Sequence, residues 1–306
     1  MRRLPIIVAA AVVLALAGAV AGWLLVPRHA QPPPVATTQQ PAFEIQSATE
    51  QAINGHVPIG LTAFRLADNP HILVLDFASL RDQGLMLNRV AALIEKAGLP
   101  RDRVLTDDEL DKAIRAHGDT VETFYLGHDY SAAELARFFA LADAQHIELD
   151  AQEERLRALL RQEGWFAPGT AAGLISVPAV GSDARITAEA RAAILRHELS
   201  HGEFFSDPVY ADYVHRFWLT ELTEDERAGV RSFLAKEDYD DTIEELMYNE
   251  MQAYLMFTRN PAFFTAGMAR LSPDRLHELQ SRFLAGMPAG WLRNVLAGYD
   301  SATSIH

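Results

Sequence analysis

The feature that most constrains this chain is the string His197-Glu198-Leu199-Ser200-His201, which has the form H-E-x-x-H. Two histidines four residues apart project from the same face of a helix, close enough to hold one metal ion between them. The glutamate beside the first histidine then lies next to any water that such a metal carries. The string therefore predicts a helix at this place with a metal site on one of its faces.

The residues around the string agree with a helix from Thr187 to Phe205. Thr187 is a suitable N-cap residue, and neither glycine nor proline interrupts the run before Gly202. Ile194 shares one face with the motif histidines and Glu198, while two leucines lie on another face. Apolar residues therefore cover much of the helix, which predicts that it is buried. Histidine and glutamate side chains on a buried helix need a partner, and a metal ion can be that partner.

A metal site of this kind needs a third protein ligand, and acidic residues near the motif are the first to compare. Asp207 stands ten residues after His197, where a longer form of the motif places its last ligand. That longer form needs a glycine to turn the chain, and Phe204 occupies the glycine position. Glu203 follows His201 by two residues and so points around the helix, away from the metal face.

Glu250 is the third candidate, on a helix predicted from Thr242 to Phe257. It falls in the middle of an apolar stripe that consists of Ile243, Leu246, Met247, Ala253, Tyr254 and Phe257. Burying an unpaired carboxylate costs on the order of several kcal/mol or forces its protonation. We therefore expect Glu250 to be the third metal ligand. The alternatives are a buried ion pair between Glu250 and an arginine, and ligation by Asp207.

Composition restricts the class of protein and the kind of metal site. The chain has 306 residues, 49% of them hydrophobic, which is enough to bury a core. Its formal net charge of -14 argues against a general nucleic-acid binder, because a polyanion would be repelled. There is no cysteine, so a transition metal must be held by nitrogen and oxygen ligands.

The N-terminus predicts where the protein is located. Arg2 and Arg3 precede an apolar run from Leu4 to Val26, which exceeds the roughly 20 residues that cross a bilayer. We therefore expect residues 1–26 to be a single-pass anchor in the cell membrane, with the rest of the chain on the extracytoplasmic, periplasmic side. Ala19-Val20-Ala21 resembles a signal-peptide cleavage site, which would give a secreted protein instead. The apolar run continues past that site, which favours a retained anchor.

The remaining chain divides into a linker and one folded domain. Residues 27–42 are rich in Pro, Gln and Thr and are typical of an extended linker, so the domain is expected to span residues 43–306. Strands are predicted at 72–77, 121–126 and 173–178. Pro178 suits an edge strand. Helices are predicted at 84–97, 106–116, 131–163, 187–205, 209–220, 223–235, 242–257 and 273–284.

Two capping boxes support the predicted helix starts, Thr106 with Glu109 and Ser131 with Glu134. Most of the chain after residue 187 is predicted to be helical. The pattern predicts a helix-dominated α+β fold, with a small sheet whose edge strand precedes the motif helix.

The motif followed by Asn249-Glu250 on a later helix resembles the gluzincin branch of the zincin metallopeptidases. The resemblance covers about residues 173–257, and the strand Leu174 to Val177 resembles the zincin edge strand that pairs with an extended substrate. It implies a Zn²⁺ site made of His197, His201 and Glu250, the last 49 residues after the second histidine. It also implies Glu198 as the general base.

These observations predict a membrane-anchored zinc peptidase or related amide hydrolase that acts on peptides or proteins. Glu198 would take a proton from a water acidified by the metal and deliver it to the departing amine. A further donor for the developing oxyanion could come from Tyr239, Tyr248, Tyr254 or His215.

Two other interpretations stay open. A noncatalytic zinc-binding envelope protein with a zincin-like scaffold would need the three ligands but not Glu198. A helical scaffold that uses His197 and His201 without metal would contain no zinc.

Overall fold

The structure, a computed structural model, describes residues 43–303, with side chains up to residue 298. Its secondary structure is dominated by helices, with one small mixed sheet, so the predicted α+β class is confirmed. The predicted anchor, residues 1–26, and the linker, residues 27–42, lie outside the described residues. Among residues 43–303, no helix combines the length and the apolar character needed to cross a bilayer.

The strands are β1 (Ile45–Ala48), β2 (Leu61–Leu66), β3 (Ile72–Phe77), β4 (His128–Ser131) and β5 (Gly173–Pro178). The helices are α1 (Glu50–Asn54), α2 (Leu80–Ile94), α3 (Asp107–Ala116), α4 (Ala132–Ala144), α5 (Ala151–Glu163), α6 (Ala188–Ser206), α7 (Pro208–Thr220), α8 (Glu224–Leu234), α9 (Glu244–Gln252), α10 (Pro273–Gly286) and α11 (Trp291–Thr303). A π-helix, Ala253–Phe257, directly continues α9.

The strand order across the sheet is β1-β2-β3-β5-β4. β1 runs parallel to β2 and β3 parallel to β5, while β2–β3 and β4–β5 are antiparallel. The prediction that the strand before the motif helix lies at an edge is therefore wrong, because β5 lies between β3 and β4 and all six of its residues are buried. The edge strand on this side of the sheet is β4.

Pro178 is compatible with a central strand because it is the last residue of β5. β4 pairs only with residues 173–176, so it does not reach as far as Pro178. On the other side, Ala179 rather than Pro178 donates to the backbone oxygen of Phe77. The missing N–H of the proline therefore breaks no hydrogen bond of the sheet.

The prediction of a strand at 121–126 is also wrong, since this segment forms a turn that precedes β4. The Phe124 amide donates to the Thr120 carbonyl, as in a helical turn. The Thr123 hydroxyl accepts from the Thr120 amide and donates to Asp119. These local side-chain bonds give the backbone an alternative to a sheet ladder, and they outweigh the β-propensity of the segment.

The predicted helix 131–163 is two helices, α4 and α5, separated by residues 145–150. His146 adopts a left-handed conformation with φ of 55°, which no helix continues through. Asp150 then caps α5, so a new helix starts there. Both predicted capping boxes are present, and Thr187 caps the motif helix as predicted.

Helix α6, which carries the motif, packs closely on the sheet. A Cβ atom added to Gly202 would lie 2.9 Å from Cγ2 of Ile72 on β3, so only glycine allows this separation. The C-terminal half of the motif helix is thereby held against the middle of the sheet.

The N-terminal half of α6 is fixed by Arg191, which is fully buried. Its guanidinium donates to both carboxylate oxygens of Asp76 on β3, at 2.8 and 3.0 Å. It also donates to the backbone oxygens of Ile53, Asn54 and Pro178. Every donor of the guanidinium is satisfied, so the burial of this charge is compensated.

We expect Asp76→Ala to lower the free energy of unfolding by about 3–5 kcal/mol, because it leaves the Arg191 charge buried without its carboxylate. The exposed pair Arg282–Glu278 provides the control, with side chains 55% and 46% exposed. Glu278→Ala should cost less than about 1 kcal/mol. Urea denaturation of both variants measures the difference, and equal small losses would contradict the anchoring role of Asp76.

Candidate metal centre

The motif side chains are buried on α6, as the sequence predicts. His197, Glu198 and His201 are 8%, 6% and 0% exposed. The helix packs against β4, β5 and the π-helix. Buried polar side chains need compensation from neighbouring groups, and that compensation comes mainly from α9 and the residues that follow it.

Glu250 on α9 lies beside both histidines and is itself fully buried. The Nε2 atoms of His197 and His201 are 3.1 Å apart. Oε2 of Glu250 lies 3.5 Å from Nε2 of His197 and 3.7 Å from Nε2 of His201. The three residues thus form a buried group that could hold a metal ion.

These three separations suit one ion. A triangle with sides of 3.1, 3.5 and 3.7 Å has its corners about 2.0 Å from its centre, against usual Zn–N and Zn–O distances of about 2.0–2.2 Å. The three residues that the sequence predicts as ligands are therefore brought together with the spacing that a metal ion requires.

Thr258 determines which nitrogen of His197 carries the proton. The Thr258 hydroxyl donates to the backbone oxygen of Ala253 at 3.0 Å. It lies 2.8 Å from Nδ1 of His197, so at that contact the hydroxyl oxygen accepts and Nδ1 donates. Nε2 of His197 is left with its lone pair facing Glu250 and His201, which is the tautomer that binds a metal.

Asn249 determines the tautomer of His201 in the same way. Its side-chain oxygen lies 2.9 Å from Nδ1 of His201, and a carbonyl oxygen can only accept. The Gln252 amide nitrogen also approaches that oxygen, at 3.4 Å, and donates to the Ser200 hydroxyl. The Tyr210 hydroxyl donates to the side-chain oxygen of Gln252 at 2.7 Å. The orientation of the Asn249 amide is thus set by a buried network.

The two histidines therefore direct lone pairs at each other. Burial lowers the pKa of His197 to about 3 and that of His201 to about 4, so neither imidazole carries a proton at Nε2 near neutral pH. At 3.1 Å two lone pairs repel, and a cation between them replaces that repulsion by attraction. This arrangement fits a metal better than it fits a histidine pair in a scaffold.

Glu250 gives independent support for a cation. Neither of its carboxylate oxygens has a hydrogen-bond partner, although the residue is fully buried. Burial raises the pKa of Glu250 to about 7, while His201 and then the nearby Tyr239 hydroxyl act in the opposite direction. A buried carboxylate without donors is costly unless a cation or a proton compensates it.

The π-helix brings ligands and supporting residues to one place. It begins directly after α9, which carries Asn249 and Glu250, and Thr258 follows its last residue. In a π-helix each backbone hydrogen bond joins residues five apart instead of four, so the side chains that follow are rotated relative to those of a continuous α-helix. Such segments are frequent at functional sites. Tyr254 in this segment packs edge-on against His197, with ring centroids 4.6 Å apart.

Glu198 lies at a cavity beside the motif histidines. It lines a cavity of about 330 Å³ together with His197, and its Oε2 has no hydrogen-bond partner. A Cβ atom at Gly127 would overlap Oε1 of Glu198, so the carboxylate fits only because residue 127 is glycine. Burial, with Glu250 and Glu95 adding to it, raises the pKa of Glu198 well above its usual range.

The other two candidate ligands, Asp207 and Glu203, form hydrogen bonds with groups outside the three-residue site. Asp207 caps α7, where its Oδ1 accepts from the amides of Val209 and Tyr210. Glu203 accepts from Asn69 and Trp291 side chains at 2.6 and 2.7 Å. For Glu250, the ion pairs recorded within residues 43–298 are with the two histidines and not with arginine.

The four candidate oxyanion donors separate into two pairs. Tyr239 and Tyr254 line the cavity that contains Glu198. Tyr248 and His215 stack on each other, with centroids 4.7 Å apart, in a different cavity. The first pair therefore lines the same cavity as Glu198, and the second does not.

Several residues of the site have no signal in the sequence. Thr258 and Gly127 come close to the motif only through tertiary packing, and nothing in their local sequence distinguishes them. Glu95 and Asp129 lie near Glu250 and are likewise brought there by the fold. Asn249 precedes Glu250 directly, but its role depends on the Gln252 network.

Scans of protein-family models, curated proteins and solved structures found no match to this chain.

We expect Thr258→Val to weaken metal binding by about 10–100-fold, because it removes the group that holds the His197 tautomer. Valine has the shape of threonine, so the fold should persist. Competition with a chelating dye measures the affinity. Thr220→Val, at an exposed position on α7, is the control and should leave it unchanged. Unaltered affinity in Thr258→Val would contradict the role given to Thr258.

Proposed function

We propose that this protein is a zinc-dependent hydrolase of peptide or related amide bonds, of the gluzincin-like zincin type. The proposed zinc ligands are His197, His201 and Glu250, with Glu198 as the general base. The observation that carries the proposal is the position of Glu198, whose free carboxylate oxygen lies beside the three-ligand group in an accessible cavity. A scaffold that only binds metal has no use for a buried carboxylate at this place.

The donor set supports zinc as the metal. Two neutral imidazoles and one carboxylate are a usual ligand set of catalytic zinc sites, which keep a further position for water. The absence of cysteine from the chain also leaves nitrogen and oxygen as the donors. When bound in such a site, zinc acidifies a water molecule and polarises a substrate carbonyl.

The residues of the chain then carry out the proton transfers. Glu198 accepts a proton from the attacking water and delivers it to the departing amine, so that one carboxyl group serves both steps. Hydroxyl groups of Tyr239 and Tyr254, which line the same cavity, can donate to the oxygen on which negative charge develops. The proposed product is a free amine and a free carboxylate.

The edge of the sheet at β4 is where we propose that an extended peptide substrate binds. β4 lies at the edge of the sheet, and residues 124–127 before it line the cavity with Glu198. The role that the family resemblance gives to Leu174–Val177 therefore passes, in this proposal, to β4 and the segment before it. A peptide added along this edge would bring a backbone carbonyl towards Glu198.

We also propose that residues 1–26 anchor the protein in the cell membrane and that the hydrolase faces the extracytoplasmic side. The support is the apolar run from Leu4 to Val26 behind two arginines. The substrates would then be peptides or proteins of the periplasm.

Glu198→Gln tests the proposal directly. The full chain with this substitution should keep one bound zinc and lose hydrolysis of a fluorescently quenched, unfolded protein by about 10²–10⁴-fold, because glutamine cannot accept the proton. Zinc is counted by mass spectrometry and hydrolysis by fluorescence. Full activity in Glu198→Gln would refute the mechanism, and a zinc-bound wild-type chain without hydrolysis would favour the noncatalytic alternative.

Gly127→Ala provides a second test of the role of Glu198, and it leaves the Glu198 side chain itself unchanged. The added methyl group would displace the Glu198 carboxylate, so hydrolysis should fall while zinc stays bound. Gly267→Ala is the matched control, because a Cβ atom there meets nothing within 4 Å. Equal activities of the two alanine variants would count against Glu198 as the base.

A further inference from the structure

A second group of carboxylates adjoins the proposed zinc ligands. One oxygen each from Glu95, Asp129 and Glu250 lies within 4.8 Å of the other two. Glu95 is 3% exposed, and the side chain of Asp129 is 11% exposed. Three carboxylates this close and this well buried repel one another strongly unless cations or protons balance them.

The surrounding protein offers these carboxylates few partners. Within residues 43–298, the ion pairs of Glu95, Asp129, Glu198 and Glu250 involve no lysine or arginine but only the motif histidines, and the Tyr130 hydroxyl donates to Glu95 at 3.3 Å. Lys96, next in sequence to Glu95, places its ammonium over aromatic rings and 3.5 Å from a different carboxylate. With all four carboxylates ionised, one divalent cation at the histidines would leave two negative charges uncompensated.

Glu250 offers an oxygen to this second group. Its Oε2 is the atom near both histidines, so it serves the proposed zinc site. Its Oε1 is buried and has no hydrogen-bond partner of its own. A carboxylate in this situation can bind one cation through each oxygen.

We propose that Glu95, Asp129 and Glu250 hold a second divalent cation, with Glu250 bridging it to the zinc. All three donors are oxygen, which selects hard cations such as Ca²⁺ or Mn²⁺ over zinc. Oxygen atoms that share one Ca²⁺ at about 2.4 Å lie at most about 4.8 Å apart, and the three oxygens meet this condition. The bridging role rests on the proposed zinc site, whereas the cluster of oxygens does not.

The cavity beside this cluster provides access. It has a volume of about 550 Å³ and is lined by Glu95 and Asp129, together with Glu134, Asp212 and Glu245. None of the described residues that line it is lysine or arginine. An acidic cavity of this size attracts cations and has room for the water molecules that complete the coordination of a hard metal.

The test counts two different metals on the full chain. The protein is stripped with a chelator, loaded with one equivalent of Zn²⁺ and then titrated with Mn²⁺. Mass spectrometry after desalting counts both metals, and electron paramagnetic resonance detects the bound Mn²⁺. The wild-type chain should hold one zinc and one manganese.

Glu95→Gln and Asp129→Asn should keep the zinc and bind Mn²⁺ at least about tenfold more weakly, because each removes one charged donor. Glu245→Gln and Asp212→Asn are matched controls, since they change the same residue types in the same cavity outside the cluster. Both controls should bind Mn²⁺ as the wild type does. Thermal melting without metal checks folding, and the cluster variants should melt no lower than the wild type.

The outcomes distinguish the second cation site from the zinc site. A wild-type chain that binds zinc but no Mn²⁺, or Mn²⁺ binding that survives in both cluster variants, would overturn the second site. Mn²⁺ binding that requires Glu95 and Asp129 in a chain that fails to bind zinc would support the second site and refute the proposed zinc site.

Discussion

The arrangement on which the rest of this site depends is a pair of imidazole nitrogens that face each other at 3.1 Å, each with a lone pair. Hydrogen bonds from Nδ1 of His197 to Thr258 and from Nδ1 of His201 to Asn249 set this state. Neither ring can give the other a proton, so a cation between the nitrogens would replace the repulsion of their lone pairs by attraction. Glu250 completes the group with a buried carboxylate whose oxygens accept no hydrogen bond in this geometry, although the Tyr239 hydroxyl is close enough to lower its pKa.

The fold holds this unfavourable group in place at both ends of the motif helix. Arg191 ties the start of α6 to Asp76 on β3, and Gly202 lets its C-terminal half lie against the same strand. The π-helix after α9 lies between Glu250 and Thr258 in the chain. One short segment therefore supplies the proposed ligand Glu250 and also Thr258, the hydrogen-bond partner of His197. These contacts at both ends of α6 and the π-helix therefore hold the polar side chains of the site in place.

Local patterns in the sequence were sufficient for the motif helix, its Thr187 cap and the buried position of Glu250, because helical periodicity relates these features directly to burial. They were insufficient for the sheet, where β5 is central although Pro178 ends it. Strand order depends on contacts between distant segments, and a six-residue strand signal contains no information about them. Gly127 was missed for the same reason: its contact with Glu198 joins residues 71 positions apart.

We propose that His197, His201 and Glu250 together bind one zinc ion. Anomalous diffraction from crystals of the full chain grown with zinc, measured on both sides of the zinc absorption edge, locates that ion. We expect an anomalous peak about 2.0–2.2 Å from Nε2 of each histidine and from Oε2 of Glu250. A zinc-bound chain whose peak lies elsewhere, for example beside Asp207, or a chain without a peak at the histidines, would contradict it.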